Sequence, residues 1–349
     1  MIAAAGSPRL SAGERRQLLL ELAALTTDQR APFMDAHNMP RSLSNKPEVQ
    51  SRLRDAIDAD TITYNSIIDF LDDVVPWGKQ HIFLFAGPTS SIRNWKNPGW
   101  VKSHLDQYAP EFASVFSQRV HVGLPARLTP ASVVHEGNPL RLRITLARKR
   151  DWWEPAPEYN EKKETELGEE IEYRAFIHRV IRSFVAFEWD LVANVAMLQI
   201  SQLPGRIRYE NVKAEFDALV RPWLDLSTFT ILDLHRPILN LLDLERNGNG
   251  ITRAHGYDLQ SLQGRTMSIQ SNTASLSVFG ERSFDTAFDT VKTRGTGRTG
   301  NFYWLPQQGT PLADELRIEL VGVRNRVNFP SPSSEGVVRH VLADIRRHS

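Results

Sequence analysis

The sequence predicts an α+β protein in which an N-terminal all-helical bundle is followed by antiparallel-sheet-rich mixed domains. Three observations predict it. Ser11 to Val75 carries helix caps and apolar residues spaced by three and four, with no alternating run. Leu140, Leu142, Ile144 and Leu146 alternate with Arg141, Arg143 and Thr145, the period of a half-buried strand. After the first segment, strands and helices come in runs rather than in strict alternation, which favours antiparallel sheet over a doubly wound fold. The 349 residues are therefore expected to divide into a helical module over 1–80, an α+β middle domain over 81–250 and an α+β C-terminal domain over 251–349.

Ser11 and Glu14 fit a capping box, and Leu18, Leu22 and Leu25 follow on one face. A second helix is expected over Asp28 to His37. Asn45 and Glu48 cap a third, with Val49, Leu53 and Ile57 inward, and Tyr64, Ile67, Ile68 and Leu71 mark a fourth. His81 to Phe85 is a short apolar run, and the turn-rich Gly87 to Trp100 reads as an ordered linker. Tyr108 to Ser117 is a helix candidate. Arg119 to Leu124 is expected as a strand, Asp151 to Glu170 as a polar mobile loop, and Phe187 to Ile200 as a hairpin turning at Leu191 to Asn194. Helices are expected over Asn211 to Val220, Leu232 to Leu244 and Phe284 to Val291. Thr266 to Ile269, Ser275 to Phe279, Asn301 to Leu305 and Leu316 to Val321 read as strands, and Ser334 caps a final helix.

There are no cysteines, which excludes disulfides, thiolate metal sites and cysteine nucleophiles. Met1 to Ser7 lacks the basic-then-apolar pattern of a signal peptide. The apolar runs fall well short of the roughly 20 residues a membrane span needs. The expectation is a cytoplasmic or nucleoid- or chromatin-associated protein, without membrane partners. Net charge is only +1, yet Arg outnumbers Lys 33 to 9. Arg is the better bidentate phosphate ligand; a GC-rich genome raises Arg equally well.

No catalytic residue and no cofactor or metal is assigned. Gly295 to Gly300 matches G-x-G-x-x-G, but it lies between a helix and a strand, the reverse of the order a dinucleotide site requires. With Lys292, Arg294 and Arg298 it reads as a flexible basic loop. Asp243, Glu245, Asn247 and Gly248 resemble the start of a calcium loop, but Ala254 stands where the bidentate Glu belongs, so a helix end on Asn-Gly is the better reading. His121 reads as structural. Glu188 and Asp190 share a strand face, as a metal-dependent nuclease would need, or as ordinary surface acids do.

The candidate nucleic-acid-binding residues are Arg141, Arg143, Arg148, Lys149 and Arg150, followed by Trp152 and Trp153, together with Lys292, Arg294 and Arg298. Cations beside aromatics suit phosphate contact with base stacking. The alternative is that the Trp pair packs in the core and the arginines pair with the seven Glu between 158 and 172. Arg339, Arg346 and Arg347 on the last helix read as a solvated face.

The order of elements resembles the centromere protein N family. Tyr64 to Leu71 matches the last helix of that family's pyrin-like bundle, and Ser275 to Phe279 with Phe284 to Phe288 is similar to its closing strand and helix. The resemblance covers about half the chain by pattern and carries over no contact residue. It implies DNA or chromatin-like association and a non-enzymatic role. The leading expectation is thus a binding or adaptor protein whose partner is DNA. The alternatives are a protein-only scaffold assembling through a pyrin-like, death-fold-like module, and a metal-dependent nuclease.

Overall fold

The computed structural model describes residues 10–41, 45–90, 92–121, 123–204, 207–248 and 250–349. Four helices come first: α1 (Ala12–Ala24), α2 (Thr27–Ala36), α3 (Lys46–Asp58) and α4 (Tyr64–Val74). Each begins on a side-chain cap. Ser11 and Glu14 form the full capping box, Thr26 and Gln29 form another, and Asn45 and Thr63 cap α3 and α4. Their apolar faces meet in one core that includes Leu18, Leu22, Phe33, Met34, Leu53, Ile67 and Leu71.

A 3₁₀ turn at Val75–Trp77 leads into β1 (Gln80–Ala86). Then follow α5 (Ile92–Trp95), α6 (Pro98–Tyr108), α7 (Pro110–Ala113), β2 (Thr129–Gly137) and β3 (Leu140–Pro155). The hairpin β4 (Glu161–Glu164) and β5 (Glu170–Tyr173) precedes β6 (Phe176–Asp190) and β7 (Val195–Ser201). The chain continues through α8 (Tyr209–Val220), β8 (Thr230–Ile231), α9 (His235–Arg246), β9 (Thr252–Gln260), β10 (Thr266–Gln270) and α10 (Arg282–Lys292). It ends with β11 (Thr296–Trp304), β12 (Leu316–Val321), β13 (Arg326–Phe329) and α11 (Glu335–Arg347). The protein is mixed α and β, and no helix among the described residues is long and apolar enough to cross a membrane.

One antiparallel sheet runs through the molecule in the order β10-β9-β11-β12-β13-β1-β7-β6-β3-β2, with β8 also on β1. Strands of the middle and C-terminal segments are therefore hydrogen-bonded into one sheet, joined where β1 pairs with β7 on one side and β13 on the other. Neighbouring residues of a strand point to opposite faces, and β1 uses both. Phe83 and Phe85 enter a core beneath α5 to α8, with Leu142, Ile144, Phe187, Trp189 and Phe216. Ile82 and Leu84 enter a second core beneath α9 to α11, with Ile238, Phe302, Ile318, Val341 and Ile345. Helices thus cover one half of the sheet on one face and the other half on the opposite face.

Several sequence expectations are corrected. Arg119 to Leu124 is not a strand: Arg119 makes only an isolated bridge to Ser132, and Val122 lies outside the described residues. Asp151 to Glu170 is not a structureless loop, because β3 runs on to Pro155 against β6 and the chain then forms β4 and β5. Ser275 to Phe279 is not a strand; the strand is β9, to which Val278 attaches through a single backbone bond to Ala254. The linker after Gly87 holds α5 and the start of α6, whose Asn97 side chain caps the amides of Gly99 and Trp100. Pro110 opens a new helix inside the stretch expected to be one. The α9 C-terminus does end on Asn247 and Gly248, the latter at φ +75°; Asn249, like Met1 to Ser7, lies outside the described residues.

The largest correction concerns Gly295 to Gly300. It is no flexible loop: β11 begins at Thr296. A methyl group on Gly297 would lie 2.6 Å from Ile238 and 2.9 Å from the His235 carbonyl oxygen. The glycines let α9 press directly onto the strand. Gly297→Ala is therefore expected to cost about 1–3 kcal/mol, the range for an overpacked core, and to lower Tm. Gly137→Ala, where nothing lies within 4 Å, should cost far less. Equal Tm values for the two variants in thermal unfolding would contradict this packing.

Candidate nucleic-acid interface

The eight cations picked from the sequence do not converge. β3 and β11 are separated by five strands, or about 30 Å at ~4.8 Å per strand spacing. On β3, alternation divides the group between two faces. Arg141 lies 3.7 Å from Glu188 and 3.9 Å from Glu335. Arg143 stacks over Trp77 at 5.7 Å. On the other face, Arg148 pairs with Glu215 at 2.6 Å, and burial lowers the pKa of Arg150 beside it. Lys149 pairs with Asp151 at 2.8 Å. Lys292 is held by Asp243 at 2.6 Å and Asp289 at 3.1 Å, and these hydrogen bonds raise its pKa. Arg294 is exposed and Arg298 half-buried on β11. Of the β3 cations, Arg141, Arg148 and Lys149 do pair with acids, but with Glu188, Glu335, Glu215 and Asp151 rather than with the Glu run after residue 157.

The last helix is not a solvated face either. Arg339 binds both carboxylate oxygens of Glu188, at 2.6 and 2.7 Å, and Glu335 at 2.7 Å. Burial lowers its pKa, but those acids outweigh burial and the net shift is upward. Arg346 donates to the carbonyls of Phe85 and Ala196, and burial alone brings it down to about 10. Asp190, the other half of the acid pair, accepts from the amides of Val192 and Ala193 and shapes the β6–β7 turn.

What the structure does bring together is a groove of about 990 Å³ between the helical module and the arm formed by the outer halves of β3 and β6. Arg16 and Leu20 reach it from α1, Lys46 from α3, Lys79 from the segment before β1, and Trp152, His178 and Arg179 from the arm. Leu20 is 39% exposed, and Val180 and Ile181 add apolar surface. Five cations and two carboxylates line it. Arg179 is paired with Glu154 at 2.6 Å and Arg182 lies 3.6 Å from Glu21. Among the described residues, Arg16, Lys46 and Lys79 have no ion-pair partner and all three are exposed. The result is a cationic rim above a partly apolar floor. Sequence reading missed it because Arg16, Lys46 and Lys79 lie far apart in the chain and only the fold brings them to one groove.

The groove exists because α1 and α4 are docked on the arm through Arg182. Its side chain is 3% exposed. It donates to Asp72 at 3.2 Å and to His121 Nδ1 at 2.8 Å, and it stacks on Phe184 at 4.8 Å. Gln17 adds a bond to the Val180 carbonyl, and Arg119 one to Asp73. Burial, and then the Arg182 charge, press the His121 pKa down to about 4, so the ring accepts the Arg182 proton as a neutral imidazole. Burial raises Glu21 and Asp72, against the pull of Arg182. Neither a protein-family model nor a curated protein matches the sequence.

Two outcomes follow from this geometry. His121 takes up a proton in the unfolded chain near its ordinary value of 6.5, but in the folded chain only near 4. Its contribution to stability is full above pH 6.5 and is lost as pH falls toward 4. The raised carboxylates act in the opposite sense, so the comparison must be with His121→Gln, whose amide oxygen keeps an acceptor. Tm of the wild type should fall more between pH 6.5 and 5 than that of the variant; parallel profiles would overturn the assignment. Separately, Glu188→Ala leaves the half-buried Arg339 with Glu335 as its acid partner and removes two of its hydrogen bonds, and should cost about 1–3 kcal/mol in denaturant unfolding. A loss below ~1 kcal/mol, the range of an exposed pair, would refute a structural role for that pair.

Proposed function

We propose that the protein is a non-enzymatic binding or adaptor protein that holds a nucleic-acid strand in the groove between α1, α3 and the β3–β6 arm. The observation that carries this reading is the convergence of Arg16, Lys46 and Lys79, exposed and without ion-pair partners, on a floor that includes Leu20 and Trp152. Uncompensated cations supply the sequence-independent attraction to phosphates. Aromatic and aliphatic floor groups suit unstacked bases, which favours a single strand over a duplex. A pyrin-like character of the helical module, the part of the centromere protein N resemblance that rests on Tyr64 to Leu71, and a nucleoid or chromatin setting accord with this reading. The engagement of Glu188 by Arg339 and of Asp190 by a turn supports a structural role for the acid pair over the nuclease alternative.

Fluorescence anisotropy with a labelled single-stranded oligonucleotide tests the proposal. Engagement of three phosphates gives a log–log salt slope of roughly −2, at about −0.7 per phosphate for single strands. Arg16→Glu with Lys46→Glu and Lys79→Glu should abolish binding without lowering Tm. Arg294→Glu, at an exposed site outside the groove, should leave the affinity unchanged. Absence of binding at low salt, where attraction is least screened, would reject the proposal, and so would a triple variant that binds as tightly as the wild type.

A further inference from the structure

The β4–β5 hairpin projects from the end of the β3–β6 arm, where the Ala156 amide donates to the Ala175 carbonyl. It forms its own two-stranded sheet, and among the described residues no further strand lies on either edge. A hairpin of this kind is marginal in water unless something covers it. It also carries a concentration of apolar surface. Of the fifteen exposed large apolar residues among those described, six fall between 153 and 176: Trp153, Tyr159, Leu167, Ile171, Tyr173 and Phe176. Leu167 is 87% exposed and sits in the connecting turn, where Gly168 adopts φ +81° and the Thr165 side chain accepts from Leu167 and Glu169 amides. An isolated exposed leucine needs no explanation, but a concentration of exposed apolar side chains in one projecting segment points to an interaction surface.

The charges around Leu167 indicate what covers it. Glu164 and Glu170 are directly opposite each other in the ladder, an arrangement that destabilises a bare hairpin. Glu166 and Glu169 flank Leu167 in the turn. Lys162 compensates Glu170 at 2.8 Å, and Lys163 compensates Glu161 at 3.2 Å. Glu164, Glu166 and Glu169 have no ion-pair partner among the described residues. The tip is thus an apolar side chain ringed by carboxylates. Its complement is an apolar floor ringed by cations, and this chain carries such a surface: Leu20 with Arg16, Lys46 and Lys79. An acidic tip would repel another acidic tip, so pairing of two hairpins is disfavoured.

We infer that the β4–β5 hairpin of one copy docks into the groove of a second copy, with Leu167 on the apolar floor and Glu164, Glu166 and Glu169 facing Arg16, Lys46 and Lys79. The occupant is a second copy of this chain. The groove's cations draw carboxylates as they draw phosphates, so the docked hairpin and a nucleic-acid strand exclude each other.

Sedimentation velocity over a range of protein concentrations, without nucleic acid, tests the contact. The full chain should self-associate, and more weakly as salt rises. Leu167→Glu on the hairpin and Lys46→Glu with Lys79→Glu in the groove both change exposed residues, and each variant alone should weaken association about tenfold or more. A mixture of the two variants keeps one intact hairpin and one intact groove, and it should form a complex that neither forms alone. A wild type that stays monomeric at every concentration would overturn the inference, and so would association indifferent to both variants or a mixture that forms no complex. Leu167→Glu keeps the groove cations, so it should retain oligonucleotide binding. Loss of self-association is thereby separable from failure of the nucleic-acid reading.

Discussion

Arg182 is the constraint on which the outer architecture depends. A guanidinium withdrawn from water is tolerable only when its charge is balanced and it finds acceptors for its hydrogen bonds. Here Asp72 from α4 and His121 from the segment before β2 accept its hydrogen bonds and Glu21 from α1 balances its charge from 3.6 Å, while Arg182 itself belongs to β6. Four parts of the chain that are far apart in sequence are tied to one side chain. A helical module sitting on a sheet could slide or tilt if it were held by apolar contact alone. Directional bonds to a single planar group fix its position, and with it the width of the groove that opens beside the contact.

A second ionic tie works at the other end of the same sheet face. α11 lays Val338, Val341 and Ile345 on the core beneath it and sends Arg339 to Glu188 and Arg346 to two strand carbonyls. β6 therefore bears two inward charged residues, Arg182 and Glu188, each answered by a helix of a different region. Several of the arginines that dominate the composition are engaged in this way, fastening helices to the sheet, while others, Arg16 and Arg294 among them, have no ion-pair partner among the described residues.

The helices were the most legible part of the sequence. Their caps are local, and Ser11 with Glu14 or Ser334 with Val337 acts within one turn. The alternation in β3 and the turn between β6 and β7 were legible for the same reason. β9 was not, because Thr252 to Gln260 mixes His, Gly and Asp with its apolar residues and bulges against β11. β4 is wholly charged, and β5, where Ile171 and Tyr173 alternate with glutamates, is only four residues long and exposed throughout, so neither stands out as a strand. Gly295 to Gly300 misled because small size serves a flexible loop and a tight helix–strand contact equally well, and only the position of Ile238 distinguishes them. The groove was hidden for a different reason. The packing of α1 against α3 places Arg16 and Lys46 on the module, and the β3–β6 arm closes the groove beside them only when Arg182 seats that module, and nothing local to any of these residues records either event.

The place of β1 between β7 and β13 has a consequence for biosynthesis. β7 follows β1 closely enough to pair with it while the chain is still growing, but β13 begins only at Arg326. Until then the Gln80 to Phe83 stretch of β1, which β8 does not reach, shows an unsatisfied row of amides and carbonyls along one side, beside Ile82 and Leu84 whose core is incomplete. Such an edge recruits other strands, and closing it across so long a stretch of chain is slow. During translation the nascent half-sheet is therefore most vulnerable to mispairing between the emergence of β7 and that of β13, a window that slower elongation would widen and a chaperone shielding β1 would make safe.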